Sequence, residues 1–270
     1  MTSDTARFVG NIPQHYDAGL GPLIFADYAA EMARRVAGYA PMRVLETAAG
    51  TGIVTRQLRN ALPAAAHLTA TDLNPPMLDI ARAKFQPGEM IEFKQADAMA
   101  LPFPDASFDV VVCQFGVMFY PDKDQSYREV FRVLAPGSHY LFSIWDTHFY
   151  NPFGRIVHDI AMRFFPVDPP QFMNVPFSYA FDPIKKSLIE ARFSDIEAAV
   201  VRLEKEIPSA AAFARGLVYG SPLIDQVQAR GGAEPEQIVD ALVAELHREF
   251  GTDPGRMPLQ AILFSAKKPG

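Results

Sequence analysis

The sequence holds a single cysteine, Cys113, among its 270 residues. That excludes an intramolecular disulfide framework and any four-cysteine zinc site. Cys113 ends the apolar run Val110-Val111-Val112-Cys113 and reads as a small buried hydrophobe rather than a reactive thiol. No block of lysine and arginine occurs, and the formal charge is −6. A chain that grips a phosphate backbone carries a basic stripe, so nucleic acid is not the expected partner. No apolar run approaches the roughly 20 residues that span a bilayer. The opening residues also lack the basic start and apolar stretch of a secretory leader, so the expectation is a cytoplasmic protein. No His, Cys, Asp and Glu grouping has metal-ligand spacing, and no bound metal is expected. The G-x-S-x-G elbow of hydrolases is absent too.

What is present is an ordinary globular composition, 49% hydrophobic and 21% charged, in a chain long enough for one large core. Apolar residues recur at helical spacing over 14–40 (Leu20, Leu23, Ile24, Tyr28, Met32, Val36), and further helices are expected at 53–62, 75–85 and 124–134. Strands are expected at 42–47, 67–72, 91–95, 108–114 and 139–145. The fourth, Phe108–Gln114, is a near-continuous apolar run of the kind buried on both faces of a parallel sheet. Strand and helix alternate, which predicts an α/β fold with a doubly wound, mostly parallel sheet. Residues 147–181 are irregular and rich in proline and aromatics. A helix at 182–192, a strand at 196–203, a helical stretch near 209–250 broken at Gly231-Gly232, and a strand at 259–266 complete the chain. We expect one domain over 1–270, with an N-terminal helical lid at 1–40, a ligand-binding core at 41–146 and cap insertions at 147–181 and 208–250.

The first strand ends in Val44-Leu45-Glu46 and enters Thr47-Ala48-Ala49-Gly50-Thr51-Gly52. Small residues suit a backbone that turns sharply and approaches a ligand, and ligands of such sheets lie off the carboxyl ends of the strands. Glu46 is placed to bond an ammonium group. Asp72 closes the second strand 20 positions after Gly52, where a carboxylate can accept from ribose hydroxyls. The loop lacks the third glycine of the dinucleotide fingerprint, which packs around a pyrophosphate. Asp97-Ala98 follows the third strand, placed to meet an adenine.

Five stretches follow in order: VLETAAGTG, TATDLN, QADAMALPFPDASFDVVVCQFG, REVFRVLAPG and YLFSIWD. Together they resemble the class I S-adenosylmethionine (SAM)-dependent methyltransferases. The branch they are most similar to contains the ubiquinone/menaquinone-biosynthesis C-methyltransferases (methyltransferase type 11-like). The resemblance covers about residues 14–146 and implies a Rossmann-like, seven-stranded sheet with an antiparallel last strand. It also implies SAM as cofactor and S-adenosylhomocysteine as product. By the same resemblance Glu46, Ala48, Gly50 and Gly52 surround the methionine and ribose parts. Asp72 holds the ribose hydroxyls, with Leu73 and Met77 beside sugar and adenine. Asp97 and Ala98 frame the adenine, and Gln114 and Phe115 line the methionine side. Tyr16 and Tyr28 are candidate lid contacts. Ala48 stands where the family usually has glycine, which matters if the backbone there needs a positive φ.

Methyl transfer needs alignment and exclusion of water, and needs a base only if the acceptor must lose a proton. His15 and His148 are the candidate bases or orienting groups, with His158 behind them and Tyr16, Tyr120 and Tyr150 as possible orienting hydroxyls. The aromatic stretch 147–181 predicts a cap for an apolar or aromatic small-molecule acceptor, in a monomer or homodimer. Two other readings stay open: a nicotinamide-dependent oxidoreductase on a similar sheet, and a catalytically silent SAM-binding module.

Overall fold

A computed structural model describes residues 6–270; of the N-terminal segment read as a lid, positions 1–5 lie outside the described residues. A short α1 (Ile12–His15) leads into a π-helical segment, Tyr16–Phe25, and then α2 (Ala26–Ala37). The order continues β1 (Arg43–Glu46), α3 (Ile53–Ala61), β2 (His67–Asp72), α4 (Pro75–Arg82), β3 (Ile91–Gln95), β4 (Phe108–Gln114), α5 (Lys123–Val133) and β5 (Leu134–Trp145). Then come α6 (Pro152–Phe164), α7 (Phe181–Glu190), β6 (Ser194–Ile207), α8 (Ala210–Tyr219), α9 (Leu223–Arg230), α10 (Pro235–Phe250) and β7 (Gly255–Lys267). No helix among the described residues is long and apolar enough to cross a membrane.

The seven strands form one sheet in the order β3-β2-β1-β4-β5-β7-β6. The pairs β1–β2, β1–β4, β2–β3 and β4–β5 are all parallel. β7 runs the other way: near one end of β5 Lys268 donates to Ser138 O, and near the other Asp146 donates to Gln260 O. This is the α/β, seven-stranded, mostly parallel sheet with an antiparallel last strand that the resemblance implied. β4 is buried on both faces, with Val110 through Cys113 all 0% exposed. Each such valine contributes about 1.5–3 kcal/mol of hydrophobic stabilisation. The chain order reverses between β1 and β4, which is where a sheet of this type opens a crevice at its carboxyl edge.

Two compact units make up the chain. The sheet unit comprises Ala26–Ile144, Tyr179–Val200 and Ile262–Gly270. The helical unit comprises the described residues up to Phe25, Trp145–Ser178 and Val201–Ala261. The stretch read as a lid is thus divided between the units after Phe25, and most of 147–181 and all of 208–250 fall in the helical one.

In the sheet unit, the start of β5 differs from the expectation. The sequence predicts a helix over 124–134 and a strand only from 139, but α5 already ends at Val133 and the strand begins at Leu134. Phe108 pairs with Leu134, while Val110 pairs with His139. β5 therefore carries a bulge that absorbs Pro136, which has no N–H, and Gly137, whose φ is +81°.

In the helical unit, the irregular aromatic stretch contains a helix of 13 residues, α6. Its buried positions Phe153, Ile156, Val157, Ile160 and Ala161 follow a helical period. Pro152 stands at its first position, where a missing N–H has no intrahelical partner to lose. Its start is tied down by Asn151, which is 0% exposed. The Asn151 amide donates to Asp146 O, Thr147 O and Gln260 O and accepts from Gln260 N. Gln260 in turn donates to Asp146 Oδ2 and accepts from Arg202 Nε. The π-helical segment crosses α8 at glycine on glycine: a Cβ on Gly19 would lie 2.7 Å from Gly216 Cα. Neither residue can grow without separating the two helices.

Candidate cofactor site

β1, β2 and β3 are parallel neighbours, so Glu46, Asp72 and Asp97 sit at the same edge of the sheet, at or just past the strand ends. The loop after β1 is pinned from two sides. Thr47 N donates to Val112 O on β4, and Ala49 N donates to Thr71 O on β2. Gly50 N then donates to Asp72 Oδ2 at 2.9 Å. Asp72 Oδ1 accepts from Asn74 N at 2.8 Å. The Asn74 side-chain amide also donates to Oδ1, at 3.3 Å, and Oδ2 keeps an acceptor site beside the Gly50 bond. Asp72 is only 7% exposed, and burial pushes its carboxyl upward against these hydrogen bonds.

Glu46 is buried more deeply still, 2% exposed, and Thr55 Oγ1 on α3 donates to its Oε2 at 2.6 Å. Burial raises its carboxyl to about 8, with Asp72 adding to the rise and the Thr55 bond opposing it. Thr55 is a partner that the sequence reading did not find. Its only signal is its place at the third position of α3, directly after the glycine-rich turn.

The loop carries left-handed backbone at three positions: Ala48 (φ +51°), Gly50 (+57°) and Gly52 (+78°). A Cβ on Gly52 would lie 2.8 Å from Ala81 Cβ, so that glycine lets α3 approach α4. Ala48 does adopt the conformation in which its methyl costs about 1–2 kcal/mol relative to glycine. Ala48→Gly relieves this strain but frees the unfolded chain, so a net gain of about 0.5–1 kcal/mol is expected, read as a small rise in Tm.

The segment after β4 completes the site's sheet-unit residues. Phe115 is also left-handed, with φ +56°. Its ring meets Tyr28 of α2 edge-on at 5.5 Å, so two residues assigned separately to the methionine side and the lid come together. Tyr28 is 1% exposed, and burial drives its hydroxyl far above the usual tyrosine range. Gly116 was not anticipated: a Cβ there would collide with Ala48 Cβ and lie 2.9 Å from Cys113 Sγ. Tyr120 Oη lies 3.4 Å from that sulfur and donates to Thr47 Oγ1 at 3.3 Å. Cys113 is wholly buried, and burial raises its thiol.

The other assigned residues are placed as follows. Met77 of α4 is buried, its Cε 3.5 Å from where a Gly50 Cβ would be. Leu73 O accepts from Gln95 Nε2. Asp97 Oδ1 accepts from Met99 N, which turns the chain at Ala98. Gln114 ends β4 opposite Ser143.

His15, Tyr16 and His148 belong to the helical unit. His15 packs against Tyr219 with ring centroids 5.4 Å apart, and Tyr16 stacks on Phe25 at 4.9 Å. His148 Nε2 lies 3.1 Å from Met173 O, an arrangement that makes Nε2 the donor. Its ring lies 4.6 Å from Phe177 and 6.3 Å from His158. Burial lowers its pKa, so the ring is neutral over the physiological range. Among the described residues no His, Cys, Asp and Glu cluster could hold a metal.

The residues present fit an adenosyl amino acid. Asp72 offers a carboxylate at the end of β2 with an acceptor site left on Oδ2, and Glu46 is a buried carboxyl with no cationic partner among the described residues. Thr51 Oγ1, next to both glycines of the loop, is buried without a hydrogen-bond partner.

Residues 45–142 match the family described as Methyltransferase domain. The match covers the segment that holds the loop after β1, Asp72, Asp97 and Gln114. Demethylmenaquinone methyltransferase of Thermus thermophilus is 44% identical over 99 residues, which are 36% of this chain and 44% of that protein. Ubiquinone/menaquinone biosynthesis C-methyltransferase of Pasteurella multocida is 29% identical over 168 residues, 57% of this chain and 63% of that protein. The chain therefore spans between about two-fifths and two-thirds of these relatives.

Among solved structures, the Bacillus YcgJ protein superposes with a TM-score of 0.60 at 21% identity, covering 90% of this chain and 99% of that one. Phosphoethanolamine N-methyltransferase 2 of Haemonchus contortus, in complex with S-adenosylhomocysteine, gives a TM-score of 0.60 at 18% identity. It covers 96% of this chain and 57% of that one. At such identities the likeness carries the fold. The match ends near the close of β5, so α6 and α8 to α10 lie beyond the matched segment.

Proposed function

We propose that the protein transfers the methyl group of SAM to a small apolar or aromatic acceptor. The observation that carries this reading is the pairing of Asp72 with the left-handed loop of Gly50, beside the buried Glu46, on a sheet of the methyltransferase type. The cofactor, when bound, supplies an activated methyl group on a sulfonium, its leaving group already in place. The protein's part is to bind, orient and exclude water. Asp72 accepts from the ribose hydroxyls, and Glu46 takes the ammonium end. Asp97 and Ala98 flank the adenine, and Gln114 and Phe115 bound the methionine side, with Tyr28 holding the Phe115 ring in place.

An aromatic acceptor is favoured by the relatives, which are named for methylation in quinone biosynthesis. No lysine, arginine or glycine pattern seats a pyrophosphate, which weighs against a nicotinamide cofactor. The test is a thermal-shift comparison followed by turnover with simple quinols and phenols. SAM and S-adenosylhomocysteine are expected to raise Tm while NAD and NADP leave it unchanged. Stabilisation by the dinucleotides alone would overturn the assignment.

A further inference from the structure

Glu46 and Asp72 lie on adjacent strands, both buried, and among the described residues neither forms an ion pair with a lysine, arginine or histidine. The charged groups of the surrounding elements are committed elsewhere. Arg43 of β1 pairs with Asp109 of β4 at the opposite end of those strands. On α3, Arg56 bonds Asn60 and Glu89, and Arg59 donates to the carbonyls of Leu62, Pro63 and Ala66. The Tyr120 hydroxyl, which feels the Asp72 charge, and the Cys113 thiol beside it are both raised by burial and so uncharged. Two buried anions with no counter-cation are strongly disfavoured, and a carboxyl in that position takes up a proton instead.

Resting on the cofactor reading above, we propose that the Glu46–Asp72 pair holds one proton before a ligand binds and releases it to solvent when the ammonium end of SAM arrives. The exchange balances: a neutral carboxylic acid and a cation become a carboxylate–ammonium pair plus one proton in the buffer. Glu46 is the member that gives it up. The donor it meets is Thr55, whereas Asp72 accepts from the backbone of Gly50, Asn74 and Leu73 and from the Asn74 side chain, all of which favour its anion. Glu46 is thereby a specificity determinant: it rewards a cationic amino-acid end and leaves a neutral nucleoside without that gain.

The experiment is titration calorimetry at pH 7 in buffers of low and high ionisation enthalpy, phosphate and Tris. SAM is expected to release roughly one proton per site, and its dissociation constant to fall by up to roughly tenfold per pH unit between pH 6 and 7.5. Two controls are expected to release none: SAM with Glu46→Gln, and 5′-methylthioadenosine, the neutral thioether without the amino-acid end, with the unaltered protein. Binding of SAM with a heat independent of buffer overturns the inference while leaving the cofactor reading intact. Release by 5′-methylthioadenosine equal to that by SAM overturns the assignment to the ammonium. No SAM binding at all overturns both.

A ligand-free readout runs alongside. Because the folded protein holds this proton more tightly than the unfolded chain, stability is fullest below the ordinary glutamate range and declines as pH rises through about 8. Glu46→Gln is expected to flatten that decline, and an unchanged slope in E46Q counts against the proposal.

Discussion

Asp72→Asn is expected to weaken SAM binding by about 2–3 kcal/mol, or between roughly 30- and 150-fold, without lowering the stability of the ligand-free protein. The two halves of this result have separate causes. The asparagine keeps one oxygen, so either Gly50 N or Asn74 N still finds an acceptor. The other N–H then faces an NH₂ group, and the charge that strengthens bonds to a ribose diol is gone. Against this loss, an ionised carboxylate that is 7% exposed no longer has to be desolvated. Calorimetric titration with SAM and a melting curve of the same sample check both halves. A variant that loses affinity and Tm together would make Asp72 a folding residue; one that binds SAM normally would remove it from the site.

Gly116→Ala should have the larger effect on the protein as a whole. The added methyl would meet Ala48 Cβ and sit 2.9 Å from Cys113 Sγ. The two loops at the carboxyl edge of the sheet must then part, or Ala48 must leave its left-handed conformation. Overpacking of this kind costs about 1–3 kcal/mol. It also carries the Gly50 N–H away from Asp72, so SAM affinity falls with stability. The decisive measurement is the double variant. Ala48→Gly removes one of the two methyls, and G116A/A48G is expected to recover at least half of the lost Tm. A cycle in which the two changes simply add would show that the loops do not lean on each other.

These expectations rest on features that the sequence shows unequally. β2, β3 and β4 fall where the sequence predicts them, and β4 does so most plainly, because a strand buried on both faces has a pattern that nothing local contradicts. Glu46 and Asp72 were legible for a related reason: each is the acidic residue that ends such a run before small or turn-forming residues. Thr55 and Gly116 were not, since what matters about them is a partner 9 or 68 positions away. The difficulty with Ala48 was foreseen only as a condition, and its φ of +51° meets that condition.

Elsewhere local signals misled. Pro136-Gly137 reads as punctuation, yet it lies inside β5 because a bulge tolerates both residues. Prolines and aromatics hid α6, although its buried positions keep a helical period. The helix expected over 14–40 exists in outline but changes hydrogen-bond pattern at Tyr16 and again at Ala26. The close crossing of Gly19 on Gly216, which no local pattern announces, lies within the π-helical part.

The amide of Asn151 serves as a four-way knot between the end of β5, the start of α6 and the backbone of β7. Two residues earlier the chain reaches a tip where Phe149 is 82% exposed. Accommodation of foreign sequence should therefore change abruptly over this short distance. A peptide tag spliced at the tip has open water to occupy, whereas a single residue added beside Asn151 unties three stretches of chain at once. For anyone labelling or splitting this protein, that boundary marks where the chain can be cut and where it cannot.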